Sequence, residues 1–301
     1  MFTKWIKIKA LVFSHLFLAF NPAHANLQVF ACEPEWSALV KALGGDHVTV
    51  YAATTNKQDP HHIQARPSLI AKARRADLLV CTGAELEIGW LPLLLRKSGN
   101  ARIQAGQSGH FMAADYVTLI EKPVVLDRSQ GDIHAAGNPH IHLDPTRVLQ
   151  VAEHLSQTLV QIDPAHQVDY RNQLALFTQE WQKNLGQWKM QTQPIRGKSI
   201  VVHHNSWVYL QQWLGLKQVG TLELKPGVPP TSSNLSQMLS NLEQISVYGI
   251  IYASYQDDKA ANWLSQKTGI PIVALDSGPA ENETLVQWFD RLIGKLLMAH
   301  S

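Results

Sequence analysis

Two long apolar stripes at helical spacing lie in the middle of the chain and divide the rest into two halves of like character. Val148, Val151, Leu155, Leu159 and Ile162 recur every third or fourth residue. Asp144-Pro145 ahead of them is a helix start, an N-cap followed by proline in the first turn. Asp163-Pro164 ends that helix and restarts another, whose stripe is Tyr170, Leu174, Phe177, Trp181 and Trp188. A helix of about 25 residues rises about 38 Å, enough to run along two domains. The pattern fits a rigid strut between two lobes, and it fits equally a core helix inside one larger domain.

On both sides of this pair, strand and helix alternate. Ahead of it, strands are predicted at 27–32, 48–53 and 77–80, and helices at 34–43, 67–76 and 87–97. Residues 99–137 are harder to read; they contain a candidate strand at 124–126 and a polar, glycine-containing loop that carries His134. Behind the pair, strands at 199–203, 248–252 and 271–275 alternate with helices at 207–214, 233–244, 257–268 and 282–299. Alternation of this kind predicts the α/β class, a mostly parallel sheet flanked by helices in each half. The divisions expected are 1–25 as a leader, 26–163 as an N-terminal lobe, 164–192 as the linking helix and 193–301 as a C-terminal lobe.

The leader is a secretory signal peptide by its pattern. Lys4, Lys7 and Lys9 precede a mostly apolar run over 10–20, and Ala23-His24-Ala25 is a small-x-small cleavage site. About eleven apolar residues are too few to cross a bilayer, which takes about 20. Removing the three leader lysines leaves 23 basic against 24 acidic residues. That balance gives no electrostatic footprint for nucleic acid or anionic lipid. In an oxidising compartment Cys32 and Cys81, each at a predicted strand end, can bridge; two buried thiols fit as well.

Seven of the twelve histidines beyond the leader fall in or beside three clusters: His61 and His62, His134 with His140 and His142, and His203 with His204. His203-His204 ends a predicted strand, and Asp276 follows another. In open α/β sheets, ligands bind beyond the carboxyl ends of strands. Three neutral imidazoles and a carboxylate suit tetrahedral Zn²⁺, whereas manganese favours more oxygen donors. The same donors could serve a secreted zinc-dependent hydrolase, but no His-Glu-x-x-His, Gly-x-Ser-x-Gly, Gly-x-Gly-x-x-Gly or phosphate-binding loop is present.

Four ordered segments carry a resemblance. Asp59-Pro60-His61 with Arg66-Pro67-Ser68 and Ala76-Asp77-Leu78 is the first, and Asn138-Pro139-His140-Ile141-His142-Leu143-Asp144-Pro145 the second. The third is Val201-Val202-His203-His204-Asn205-Ser206-Trp207-Val208-Tyr209, and the fourth Ala274-Leu275-Asp276-Ser277 after Thr268-Gly269-Ile270-Pro271. Together they resemble the ZnuA/TroA-like solute-binding proteins of bacterial zinc and manganese ABC transporters, over essentially the whole mature chain.

The resemblance implies two α/β lobes joined by one long helix, with the metal in the cleft between them. It implies the ligands His61, His140, His204 and Asp276, one Zn²⁺ per chain as transported cargo, and no catalysis. It also implies a periplasmic monomer that hands zinc to an ABC transporter permease, with a zinc chaperone as a further candidate partner. His204 stands where manganese-binding relatives tend to carry a carboxylate, which points to zinc. Asn205 departs from the family's usual Asp. A surface-adhesin role, sometimes attached to relatives, has no repeat or wall-anchoring sequence here.

Overall fold

The structure, a computed structural model, describes residues 26–124, 131 and 133–300. The leader at 1–25 lies outside the described residues, as do two of the three positions of the candidate strand at 124–126; Val124 itself is fully exposed and in a bend.

Each half is built on a four-stranded, all-parallel sheet. The first contains β1 (Leu27–Ala31), β2 (Val48–Ala52), β3 (Leu78–Cys81) and β4 (His110–Met112), in the order β2-β1-β3-β4. The second contains β5 (Ser199–Val202), β6 (Lys217–Thr221), β7 (Val247–Ala253) and β8 (Ile272–Leu275), in the order β6-β5-β7-β8. The edge strands β4 and β6 were not expected. An edge strand is held from one side only, and segments such as Lys217-Gln-Val-Gly-Thr221 therefore carry little apolar signal.

Helices α1 (Pro34–Gly44), α2 (Pro67–Arg75) and α3 (Leu91–Ser98) cover the first sheet, and α6 (Val208–Leu214), α7 (Ser232–Leu242), α8 (Lys259–Thr268) and α9 (Leu285–Leu297) belong to the second. The start of α3 corrects the helix expected from Glu87. Pro92 fits a first turn, and Glu87 has another use: its carboxylate accepts the backbone N–H groups of Thr82 and Gly83 at the exit of β3.

Strand alternation sorts the core. Val29 and Ala31 point into the larger cluster, while Phe30 and Cys32 point to the outer face of the first sheet with Leu69, Leu79 and Trp90. Val201, Ile250 and Leu264 form the equivalent outer cluster of the second sheet. The larger cluster runs without a break through both lobes.

The central pair accounts for that continuity. α4 (Pro145–Ile162) and α5 (Gln167–Gln191) pack on each other, and α5 also lies against α1 of one lobe and α9 of the other. Trp181 donates its indole N–H to the Pro145 carbonyl at 2.7 Å, and Trp188 donates to Asp290 of α9 at 2.7 Å. Phe289 stacks on Trp188 and meets Trp181 edge-on. Of the two readings open for the long helix, the strut holds: it serves both lobes. The choice left open for the cysteines is also decided, since Cys32 and Cys81 form a disulfide between the ends of paired strands β1 and β3.

Candidate metal centre

Two short segments of the first lobe fold in the same way. In Asp59-Pro60-His61, Asp59 Oδ1 accepts the backbone N–H of His61 at 3.0 Å and its ring Nδ1–H at 2.8 Å. In Asn138-Pro139-His140, Asn138 Oδ1 accepts the backbone N–H of His140 at 3.1 Å and its ring Nδ1–H at 2.9 Å. Proline biases the residue before it towards extended backbone, which lets a side-chain oxygen reach the residue two places on. With Nδ1 donating, each ring keeps its lone pair on Nε2.

The third ring comes from the other lobe. His204 follows β5, and its Nδ1 donates to Glu223 Oε2 at 2.7 Å. Glu223 also takes the backbone N–H of Gly227 at 2.9 Å. Burial pushes the Glu223 carboxyl up, but its hydrogen bonds with His203, His204 and Gly227 outweigh this and hold it at about 2.

The rings of His61, His140 and His204 form a near-equilateral triangle, with centroids 5.7, 5.9 and 6.1 Å apart. Imidazoles bound tetrahedrally at Zn–N of about 2.0–2.1 Å have centroids about 5 Å apart and nitrogens about 3.3 Å apart. The triangle is thus slightly wider than a closed shell. Consistently, among the described residues only Cys32, Cys81 and Glu87 place three candidate ligand atoms all within 4.8 Å of one another, and those cysteines are bridged. His140 Nε2 is buried and has no hydrogen-bond partner among the described residues. Burial, with His61 and His204 beside it, lowers the pKa of His140 well below the usual histidine value.

His134 joins this group. Its Nε2 lies 3.2 Å from Nε2 of His61, and burial next to His61 and His204 lowers its pKa to about 4. Asp276 is placed differently. Its carboxylate meets Lys57 Nζ at 2.8 Å, Ser254 Oγ, the Arg291 guanidinium and, at 3.5 Å, Lys295 Nζ. Burial works against the charge, yet these partners hold the Asp276 carboxyl well below the usual carboxylate range.

The neighbouring histidines take other places. His142 is buried 3.3 Å from Glu35 and stacks on Trp288 of α9. His203 Nε2 stands 3.4 Å from Glu223. Asn205 donates to Glu121 at 2.8 Å and accepts from Gln218 at 3.1 Å, so Glu223 orients His204. A cavity of about 600 Å³ opens beside the site, lined by Asp59, His61, His204, Glu223 and Tyr255 among others.

The sequence reading missed Asp59, Asn138 and Glu223 as partners of the rings. The repeated Asx-Pro-His pattern could have revealed the first two. Glu223, 19 residues from His204, carries no local signal.

Residues 29–299 match the family model described as ZnuA, zinc-uptake complex component A, periplasmic. The chain belongs to this family. Members of this ZnuA family are solute-binding proteins of ABC transporters, bind divalent zinc or manganese, and work with a membrane permease; they are not enzymes. The manganese ABC transporter substrate-binding lipoprotein PsaA of Streptococcus anginosus is 23% identical, over 83% of this chain and 79% of its own. The zinc-binding lipoprotein AdcA of Streptococcus pneumoniae is 23% identical, over 81% of this chain and 48% of its own.

Among solved structures, a crystal structure of ZnuA superposes with a TM-score of 0.75 at 21% identity, covering 92% of this chain and all of that one. The laminin-binding adhesin Lmb of Streptococcus agalactiae gives a TM-score of 0.71 at 21% identity, covering 90% of this chain and all of that one. These likenesses support the two-lobed fold. No helix among the described residues is long and apolar enough to cross a membrane.

Proposed function

We propose that this member of the ZnuA family is a high-affinity zinc-binding protein of the periplasm that captures Zn²⁺ and delivers it to an ABC transporter permease. One observation carries the reading. Three imidazoles from two lobes converge, each with Nδ1 hydrogen-bonded to a side-chain oxygen, so that Nε2 is the atom offered to an ion. A donor set dominated by neutral imidazoles favours zinc over manganese.

The ligands are His61, His140 and His204 with one further donor. The resemblance assigns that place to Asp276, which would have to exchange its cationic partners for the ion; His134 is its rival by position. The protein acts as a monomer carrying one ion, after export by the leader at 1–25, with a zinc chaperone as a candidate donor. Its working divisions are 26–163, 164–192 and 193–301.

Metal analysis of protein purified without chelator, followed by competition titrations with zinc and manganese, tests this. One zinc per chain is expected, with manganese bound more weakly and zinc binding lost in His140→Ala. Tighter manganese binding, or a His140→Ala variant that holds zinc as well as the parent, would overturn it.

A further inference from the structure

We propose that His134 is the fourth zinc ligand of this protein and that Asp276 instead serves as an anion ringed by cations, an inference that rests on the zinc reading above. The Nε2 atoms of His61 and His134 are 3.2 Å apart, close to the edge of about 3.3 Å that two nitrogens make in a tetrahedral zinc shell. The His134 ring is buried beside the Ala84 backbone, which holds it with Nε2 turned towards His61.

The backbone around His134 is held in place. Ala135 N–H donates to Glu85 Oε2 at 2.7 Å, and Gly137 N–H donates to the His134 carbonyl at 3.1 Å. Ala84 and Glu85 are consecutive non-glycine residues with φ of 48° and 68°. That conformation is unfavourable for residues with a Cβ, and such strain concentrates at functional sites. Here it presents Glu85 to the segment that carries His134. Upstream, Gly131 (φ 93°) runs so close to the Pro226 carbonyl that a Cβ would lie 2.1 Å from it. The segment therefore reaches from the first lobe to the loop of the second lobe that also holds Glu223.

Charge balance favours the same assignment. Asp276 is ringed by Lys57, Arg291 and Lys295, and a dication at its carboxylate would meet all three. The charge of the ion is already compensated elsewhere. Asp59 and Glu223, one behind His61 and one behind His204, supply two negative charges through the rings. Four neutral imidazoles with these two carboxylates behind them make a neutral zinc site without a carboxylate ligand. A nitrogen-only shell also discriminates against manganese more strongly than a shell with an oxygen donor.

X-ray absorption at the zinc edge counts imidazoles directly. The parent is expected to show four, and His134→Gln three, with an oxygen donor that lacks the outer-shell scattering of a ring. Zinc affinity of His134→Gln, by chelator competition, should fall beyond the roughly 10–100-fold that loss of a ligand's hydrogen-bond partner costs. Three imidazoles plus a carboxylate oxygen in the parent would overturn the assignment, as would a His134→Gln variant with unchanged affinity and imidazole count. A parent that bound no zinc, or preferred manganese, would instead overturn the zinc reading on which it rests. Should His134→Gln unfold, the imidazole count of the parent alone decides.

Discussion

Glu223 lies between two adjacent histidines: its Oε2 accepts the Nδ1–H of His204 at 2.7 Å while its Oε1 stands 3.4 Å from Nε2 of His203. One buried acid thus fixes the tautomer and direction of the only candidate ligand ring contributed by the second lobe among the described residues. Glu223→Ala should weaken zinc binding about 10–100-fold, and Glu223→Gln, which keeps an acceptor, should recover part of that loss. Chelator competition measures both; an affinity equal to the parent in Glu223→Ala would show that the ring is oriented without it.

Glu35 makes stability depend on pH. Burial drives its carboxyl from 4.5 to about 8, with the charge of Glu87 adding to the effect. Because the folded value is raised, the folded protein keeps a proton that the unfolded chain releases. The contribution of this group is complete below about pH 4.5 and is lost as pH rises through about 8. His142 has the opposite sign: burial lowers it to about 3, so its contribution is present above 6.5 and lost as pH falls through 3. Urea unfolding of Glu35→Gln at pH 5, 6.5 and 8 should therefore decline less steeply than the parent; an identical slope would refute the role given to Glu35.

Gly278 marks a close approach of the second lobe to the first. A Cβ there would lie 2.8 Å from Pro34 Cγ and 2.9 Å from Glu35 Oε2, at the start of α1. The proline ring cannot swing aside, so Gly278→Ala should cost about 1–3 kcal/mol by overpacking. Equilibrium denaturation measures this, and a change below about 0.5 kcal/mol, the scatter of neutral surface sites, would mean that the lobes separate freely there.

The Cys32–Cys81 bridge closes a separation of 49 residues between β1 and β3. Chain-entropy arithmetic for a loop of that size gives about 4 kcal/mol of stabilisation. The double replacement Cys32→Ala with Cys81→Ala should lower the unfolding free energy by an amount of that order. Loss of less than about 1 kcal/mol would show that the reduced chain is already restrained in its unfolded state.

The legible parts of this protein are those whose cause is local. The stripes of α4 and α5 read correctly because each side chain position on a helix depends on neighbours three and four places away. The sheet class followed from strand–helix alternation, and the chain order of the clusters placed histidines after strand ends. α3 starts at Leu91 and not at the expected residue 87, because Glu87 turns to the N–H groups of Thr82 and Gly83, partners that exist only when β3 is in place. β4 escaped notice because it is three residues long, and β6 because Lys217-Gln-Val-Gly-Thr221 holds only one large apolar side chain.

Composition and spacing specified two α/β halves, a long helix and histidines in loops; those properties depend on residues close together along the chain. Packing settled which groups meet. Glu223 rather than a neighbour orients His204, three cations gather at Asp276, and His134 reaches His61 across 73 residues. Such pairings join segments far apart in sequence, and their geometry exists only once α5 and the shared core have fixed one lobe against the other.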